Sequence, residues 1–336
     1  CGIHIKMWSD ESIPCQFKED RRDALRVAEK LDIPFETWDF TEQYRQEVMN
    51  YMIREYAAGN TPNPDVMCNR KIKFGVFLKR ALERGADFVA TGHYVRLQRE
   101  IQNSQSKIHN SKIKLCVAKD LNKDQSYFLW TLTQEQLRRV IFPLGEYTKP
   151  EVRELAKKFG LSTADKPDSQ GICFIGQIDL NQYLKQHIPP VRGHIVTTGG
   201  NAIGEHDGLS FYTLGQRQGL GIGGGIPYYV AKKIFASNTL VVAAGPFDKQ
   251  LFSSELTAHD VHWIAGKAPS FPLRCEVRVR YRQPLQSCTV SSLPAGNNQK
   301  THQLTVVFDE PQRAVTPGQS VVFYKDSEML GGACIF

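Results

Sequence analysis

The sequence predicts an α/β protein made of a parallel-sheet domain, a small central domain and a C-terminal antiparallel β-barrel. Strand-like and helix-like stretches alternate through the first half, the pattern of a parallel sheet with helices on its faces. From about Ile195 short β-like pieces alternate with Gly-rich turns. After Phe247 the runs RCEVRVRYR, SCTVSSL, QLTVVF and QSVVFY, parted by Pro, Gly and Asn turns, suggest a small barrel. A chain of 336 residues exceeds one ordinary core, and boundaries are expected at 1–176, 177–246 and 247–336.

Taken in order, residues 2–8 (GIHIKMW) read as a strand, and residues 23–31 as a helix with Ala24, Val27, Ala28 and Leu31 on one face. Residues 34–40 (PFETWDF) are strand again. Thr41 is placed to cap a helix whose stripe is Tyr44, Val48, Tyr51 and Met52. After the segment TPNPDVMC a helix carries Phe74, Phe77, Leu78 and Ala81 and stops at Gly85. Residues 86–91 (ADFVAT) form the next strand, and Gly92-His93-Tyr94 fall at its carboxyl end, where such sheets place ligands. Residues 98–114 are polar and repetitive, as in an exposed insertion or hairpin tip. Helical patterns resume over 127–140 and 149–159, with Pro150 near a helix start.

Composition is that of a globular chain, 41% hydrophobic and 23% charged. No run of about 18 apolar residues is present and the first residues form no leader, so an intracellular, cytoplasmic protein away from the membrane is expected, with a monomer as the default state. Eight cysteines (Cys1, Cys15, Cys68, Cys116, Cys173, Cys275, Cys288, Cys334) lack C-x-x-C spacing, which argues against structural zinc and a secreted disulfide framework. Net charge is +7, concentrated in residues 61–130, which carry 13 Lys and Arg against 6 Asp and Glu. A basic segment beside a candidate active loop suggests a polyanionic substrate.

Gly219, Gly221 and Gly224 satisfy G-x-G-x-x-G, but Pro227 and the β-like Tyr228-Tyr229-Val230 follow where a dinucleotide site needs a helix, so a turn is expected. Two cysteine segments carry more. Cys68 follows Pro62, Asn63, Pro64 and Asp65, and the prolines restrict the shape of that loop. Cys173 lies in KPDSQGICFIG. Each has basic neighbours (Arg70, Lys71 and Lys73; Lys166) that favour a thiolate, and neither sits on an apolar stripe. Two thiols that can meet suggest sulfur or disulfide chemistry, one attacking and the other resolving. Asp65 is either a turn former or a group that takes a proton near the thiol. Lys123-Asp124-Gln125 is either a polar turn before Tyr127-Phe128-Leu129-Trp130 or a set of phosphate and base contacts, as are Arg278, Arg280, Tyr281 and Arg282.

The segments TPNPDVMCNRKIKFG, ADFVATGHY, NKDQSYFLWTL, DSQGICFIG, IGEHDGLSFYTLGQRQGLGIGG, RVRYRQ and AVTPGQSVVFY together resemble the tRNA-specific 2-thiouridylase family, in that family's order and over nearly the whole chain. The resemblance implies an ATP-pyrophosphatase-type (adenine nucleotide alpha hydrolase-like) α/β domain, a central domain and a β-barrel. It implies an ATP-dependent sulfurtransferase that adenylates the C2 oxygen of the wobble uridine, with Mg2+ accompanying ATP, and then delivers persulfide sulfur. By the same matching Cys173 carries the persulfide, and Cys68 is the partner nucleophile that ends in a disulfide with it or releases its terminal sulfur. Asp65 is the acid/base group, and Asn63 and Pro64 hold the target base. Ile5 and Gly92 line the ATP site through backbone atoms, and His93, Lys123, Asp124, Gln125, Arg280, Tyr281 and Gln319 touch tRNA. The implied partners are tRNAs accepting Lys, Glu and Gln, and a cysteine desulfurase or sulfur-relay protein.

One departure stands out: the family's opening strand and SGGVDSS-type phosphate loop have no counterpart, and residues 2–8 resemble its second strand. The expectation is a chain that starts inside its first domain and, as it stands, binds ATP poorly. The alternatives are a tRNA-binding module without catalysis and another adenylating ligase of the same fold.

Overall fold

The structure is a computed structural model and describes residues 1–7, 17–99, 112–167, 179–223, 225–293 and 303–336. In the N-terminal domain β1 (Gly2–Lys6) leads through α1 (Phe17–Lys30) to β2 (Phe35–Asp39), which pairs parallel to β1 with Gly2 opposite Phe35. A helix follows in three pieces, α2 (Thr41–Tyr44), a π-helical stretch Arg45–Met49 and α3 (Asn50–Ala57). Its Tyr44, Val48 and Met52 are fully buried, as the stripe predicts. Thr41 is the first helical residue rather than the cap, and its N–H is satisfied by Asp39 Oδ1 at 2.9 Å.

The helix after the Pro-rich segment begins earlier than its apolar spacing suggests. It runs as α4 (Pro64–Met67), a π-helical Cys68–Phe77 kinked at Gly75, and α5 (Leu78–Glu83). Cys68 therefore lies in a helix, not in a loop. β3 (Val89–Ala90) follows, then the hairpin of β4 (Arg96–Arg99) and β5 (Ile113–Cys116) that bounds the polar insertion. The expected helix over 127–140 is replaced by a 3-10 turn at Ser126–Phe128, the short α6 (Gln134–Leu137) and β6 (Val140–Ile141), which pairs parallel to β3. The Thr133/Gln136 capping box starts α6 late. α7 (Lys149–Lys158) forms as predicted.

After α8 (Leu180–His187) the central domain forms one sheet in the order β8 (Ala202–His206), β7 (Gly193–Thr197), β10 (Thr239–Ala244), β9 (Tyr228–Ile234). Residues 228–234 are strand where a dinucleotide site needs a helix, and Gly224 lies outside the described residues. The C-terminal domain is a six-stranded antiparallel barrel of β11 (Phe252–Trp263), β12 (Leu273–Arg278), β13 (Gln286–Ser292), β14 (Leu304–Arg313), β15 (Ser320–Lys325) and β16 (Glu328–Ile335), closed by pairing of β11 with β16. Its interior is apolar, with Val277, Val290, Val306, Val321 and Phe323 fully buried.

The barrel is not a separate body. β5 joins β16, with Leu115 opposite Met329 and Cys116 opposite Glu328, so the N-terminal hairpin extends the barrel sheet. The segment after Asp124 seals this seam: the Tyr127 hydroxyl donates to the Ser320 carbonyl at 2.9 Å and Trp130 Nε1 to Ser320 Oγ at 3.0 Å. Gly332 is required here, because a Cβ would lie 2.7 Å from the Trp130 ring. No helix among the described residues is long and apolar enough to cross a membrane.

Candidate active site

The N-terminus of α4 sets out the first group of residues. Asn63, extended, accepts the Val66 N–H on its side chain at 3.3 Å, and Pro64 occupies the first turn, where its missing N–H costs nothing. Asp65 and Cys68 are three residues apart in this helix and so share a face. Cys68 is fully buried, with its Sγ 3.8 Å from Met7 Sδ just beyond β1. That contact places the thiol at the carboxyl end of β1, and Met7 is a neighbour that sequence reasoning missed. A buried thiol in a helix also departs from the expected loop cysteine off any apolar stripe. Cys173 lies outside the described residues.

The basic neighbours do not bear on Cys68 as a group. Arg70 pairs with Asp260 at 2.9 Å and Lys71 with Glu47 at 3.0 Å, both on the surface. Lys166 is held between Asp20 and Asp23 at 2.7 and 2.8 Å. Lys73 lines a cavity beside β1.

That cavity, of about 360 Å³, is lined by Ile3, His4, Ile5, Lys73, Phe77, Thr91, Gly92, His93 and Gln125. It is bordered by β1 and by residues 91–93 just after β3, and it brings Ile5 and Gly92 together. A Cβ at Gly92 would meet nothing nearer than Leu144 at 3.8 Å, and its φ is not positive, so neither packing nor backbone demands glycine there. His93 is buried, its Nδ1 is 2.8 Å from Thr91 Oγ1, and its ring packs on Phe74 and Phe142. Burial, aided by the charge of Lys73, holds its proton affinity well below the ordinary imidazole value.

The Lys123-Asp124-Gln125 turn divides by role. Asp124 is buried and accepts from the Ala118 and Ser126 N–H groups, the Ser126 hydroxyl and Arg278 Nη1, the last at 2.6 Å. Its carboxylate is thus saturated from inside, and Arg278, which the sequence offers as a nucleic-acid contact, is its buried counterion. Gln125 Oε1 accepts the Tyr94 N–H at 3.0 Å and ties the turn to the Gly92 loop. Lys123 remains half-exposed.

Two more expected tRNA contacts serve as clasps. Arg280 Nη2 donates to the carbonyls of Leu214 and Ala314 at 2.9 and 2.8 Å, and burial lowers its proton affinity. Gln319 Nε2 donates to the carbonyls of Thr61 and Pro62 at 2.7 and 3.3 Å. The Tyr281 ring packs 4.4 Å from that of Phe128, with Arg282 beside it on the surface.

Domain by domain, the chain matches three family models. Residues 1–177 match the tRNA methyl transferase HUP domain, 181–244 the tRNA methyl transferase PRC-barrel domain and 253–335 the aminomethyltransferase beta-barrel domain. A tRNA-specific 2-thiouridylase MnmA of Alcanivorax borkumensis is 46% identical over 341 residues, covering 99% of this chain and 89% of the relative. The tRNA-specific 2-thiouridylase MnmA 2 of Geobacillus kaustophilus is 45% identical, covering 99% and 87%, and a MnmA of Legionella pneumophila 46%, covering 99% and 90%. The chain belongs to the tRNA-specific 2-thiouridylase family.

Proposed function

We propose that the protein is an ATP-dependent sulfurtransferase that forms 2-thiouridine at the wobble position of tRNA in the cytoplasm. The observation that supports this most directly is the convergence of Asn63, Pro64, Asp65 and Cys68 on one capped helix turn, with Cys68 against the carboxyl end of β1 and the Ile5/Gly92 cavity beside the same strand.

The cavity suits adenosine: Ile3, Ile5 and Phe77 offer apolar faces, Lys73 supplies positive charge, and the unforced glycine at 92 lets a ligand approach the backbone. ATP, with Mg2+, would adenylate the uracil C2 oxygen with release of pyrophosphate, turning a poor leaving group into one that can depart as AMP. Asn63 and Pro64 would hold the flipped base, and Asp65 would move the proton at its ring. The terminal sulfur of a Cys173 persulfide would then bond to C2 as the C2–O bond breaks and AMP departs. Cys68 attacks the inner sulfur, breaks the persulfide bond and leaves as a Cys68–Cys173 disulfide for later reduction. The sulfur originates from a cysteine desulfurase or relay protein. The half-exposed Lys123 and Tyr281 and the exposed Arg282 offer the cationic and aromatic groups that an anticodon stem-loop requires, with tRNAs for Lys, Glu and Gln as substrates. His93, Asp124, Gln125, Arg280 and Gln319 act mainly by holding the surfaces that tRNA would meet.

The test is Cys173→Ser with a desulfurase, ATP and tRNA. Thiolation is expected to vanish while tRNA-dependent pyrophosphate release persists; undiminished 2-thiouridine would overturn the mechanism. Intact tRNA binding with no ATP turnover in the unsubstituted protein would instead favour a binding module.

A further inference from the structure

The stem of the Asn63–Cys68 segment is held by the central domain as well as by the barrel. α3 ends in a Schellman motif: the Gly59 N–H bonds to the Tyr56 carbonyl at 2.9 Å and the Asn60 N–H to the Glu55 carbonyl at 2.9 Å, with Gly59 at φ +87°. The Gly59 carbonyl then points out of the helix. Lys233 of β9 reaches it at 2.5 Å and bonds the Tyr212 carbonyl at 2.9 Å as well. Two further contacts come from the same domain. The Thr213 and Thr61 hydroxyls are 3.1 Å apart, and the Phe235 ring covers Gly59 so closely that a Cβ there would lie 2.0 Å from it.

We propose that Lys233 is a positioning residue for the reaction: from the central domain its ammonium fixes the Gly59–Pro62 stem, and with it the placement of Asn63, Asp65 and Cys68 over the target base. Lys233 has no described salt-bridge partner, and it is mostly buried. A lysine buried away from carboxylates is costly unless its donors are used, and here they bind two carbonyls of two domains. Beyond Pro62 only Pro64 and the Asn63 cap intervene before Asp65, so a shift at Gly59 passes to the reacting groups with little slack.

The proposal rests on the reading of Asp65 and Cys68 as reacting groups, and the experiment separates the two. Lys233→Met, Lys233→Arg, Thr213→Val, Asp65→Asn and Cys68→Ser are made in the full chain and assayed for thiolation of tRNA, tRNA affinity and thermal midpoint. Lys233→Met is expected to lower kcat about tenfold or more with KM for tRNA changed far less, as small misplacements of reacting groups do. Lys233→Arg should restore most of the loss, and Thr213→Val should lower kcat in the same direction with an unchanged midpoint. Full kcat in Lys233→Met, or a Lys233→Met defect accompanied by a wild-type rate in Thr213→Val and no rescue by arginine, would overturn it. Should Asp65→Asn and Cys68→Ser both keep full activity, the catalytic reading itself fails.

Discussion

Gln319, at the mouth of the barrel, donates its side-chain amide to the backbone carbonyls of Thr61 and Pro62, while the Thr61 N–H bonds the Pro317 carbonyl at 2.9 Å. The barrel thus grips the same stem that Lys233 holds. Gln319→Leu removes two donors and leaves two carbonyls unpaired, which costs about 1–3 kcal/mol. The expected result is a fall in thiolation kcat with a lowered unfolding midpoint in urea. Gln319→Glu, unable to donate, should be no better.

Gly318 lies at φ +88°, and an added Cβ would fall 2.9 Å from Asn60 Cβ and 3.0 Å from Thr61 N. Gly318→Ala therefore meets both backbone strain and a collision with the stem. A loss of more than about 1 kcal/mol in chemical denaturation is expected, together with impaired thiolation. Gly266→Ala, also at positive φ but with open space around it, should show the strain alone.

The Asp124–Arg278 pair joins two domains and is buried on both sides. Arg278→Met strands a carboxylate that still has three other donors. A destabilisation of about 3 kcal/mol, at the low end for breaking a buried pair, is expected by calorimetry or denaturant titration. Arg278→Met with Asp124→Asn should recover part of it, and a double-mutant cycle measures the coupling.

Because His93 titrates well below its ordinary value of 6.5 in the folded protein, the unfolded chain takes up a proton there first as pH falls. The contribution of this neutral ring to stability is full above pH 6.5 and declines below it, by up to about 1.4 kcal/mol per pH unit. The difference between the wild-type and His93→Gln stability curves should show this slope between pH 6.5 and 5; parallel curves would refute it.

The elements with regular spacing were legible in the sequence. The stripe of Tyr44, Val48 and Met52 and the alternating barrel strands follow from local patterning. The segment NKDQSYFLW was not, since Tyr127, Trp130 and Asp124 are fixed by partners some 150 to 190 residues away, namely Ser320 and Arg278. Polar residues there resemble ligand contacts, and only the fold reveals the internal bonds that Asp124 and Gln125 make. Cys68 was misplaced because Asn63 and Pro64 start the helix before its apolar stripe begins. Lys233 carries no local signal at all, being one of two adjacent lysines in a strand.

Strand β16 forks: its last residues ladder with β11, while Glu328 and Met329 ladder with β5 of the N-terminal hairpin. The barrel and the N-terminal domain are therefore stitched by main-chain bonds and cannot hinge against each other without tearing β-structure. Opening to admit a tRNA must come from elsewhere, and excising residues 247–336 would expose a raw strand end prone to sticking to its own copies.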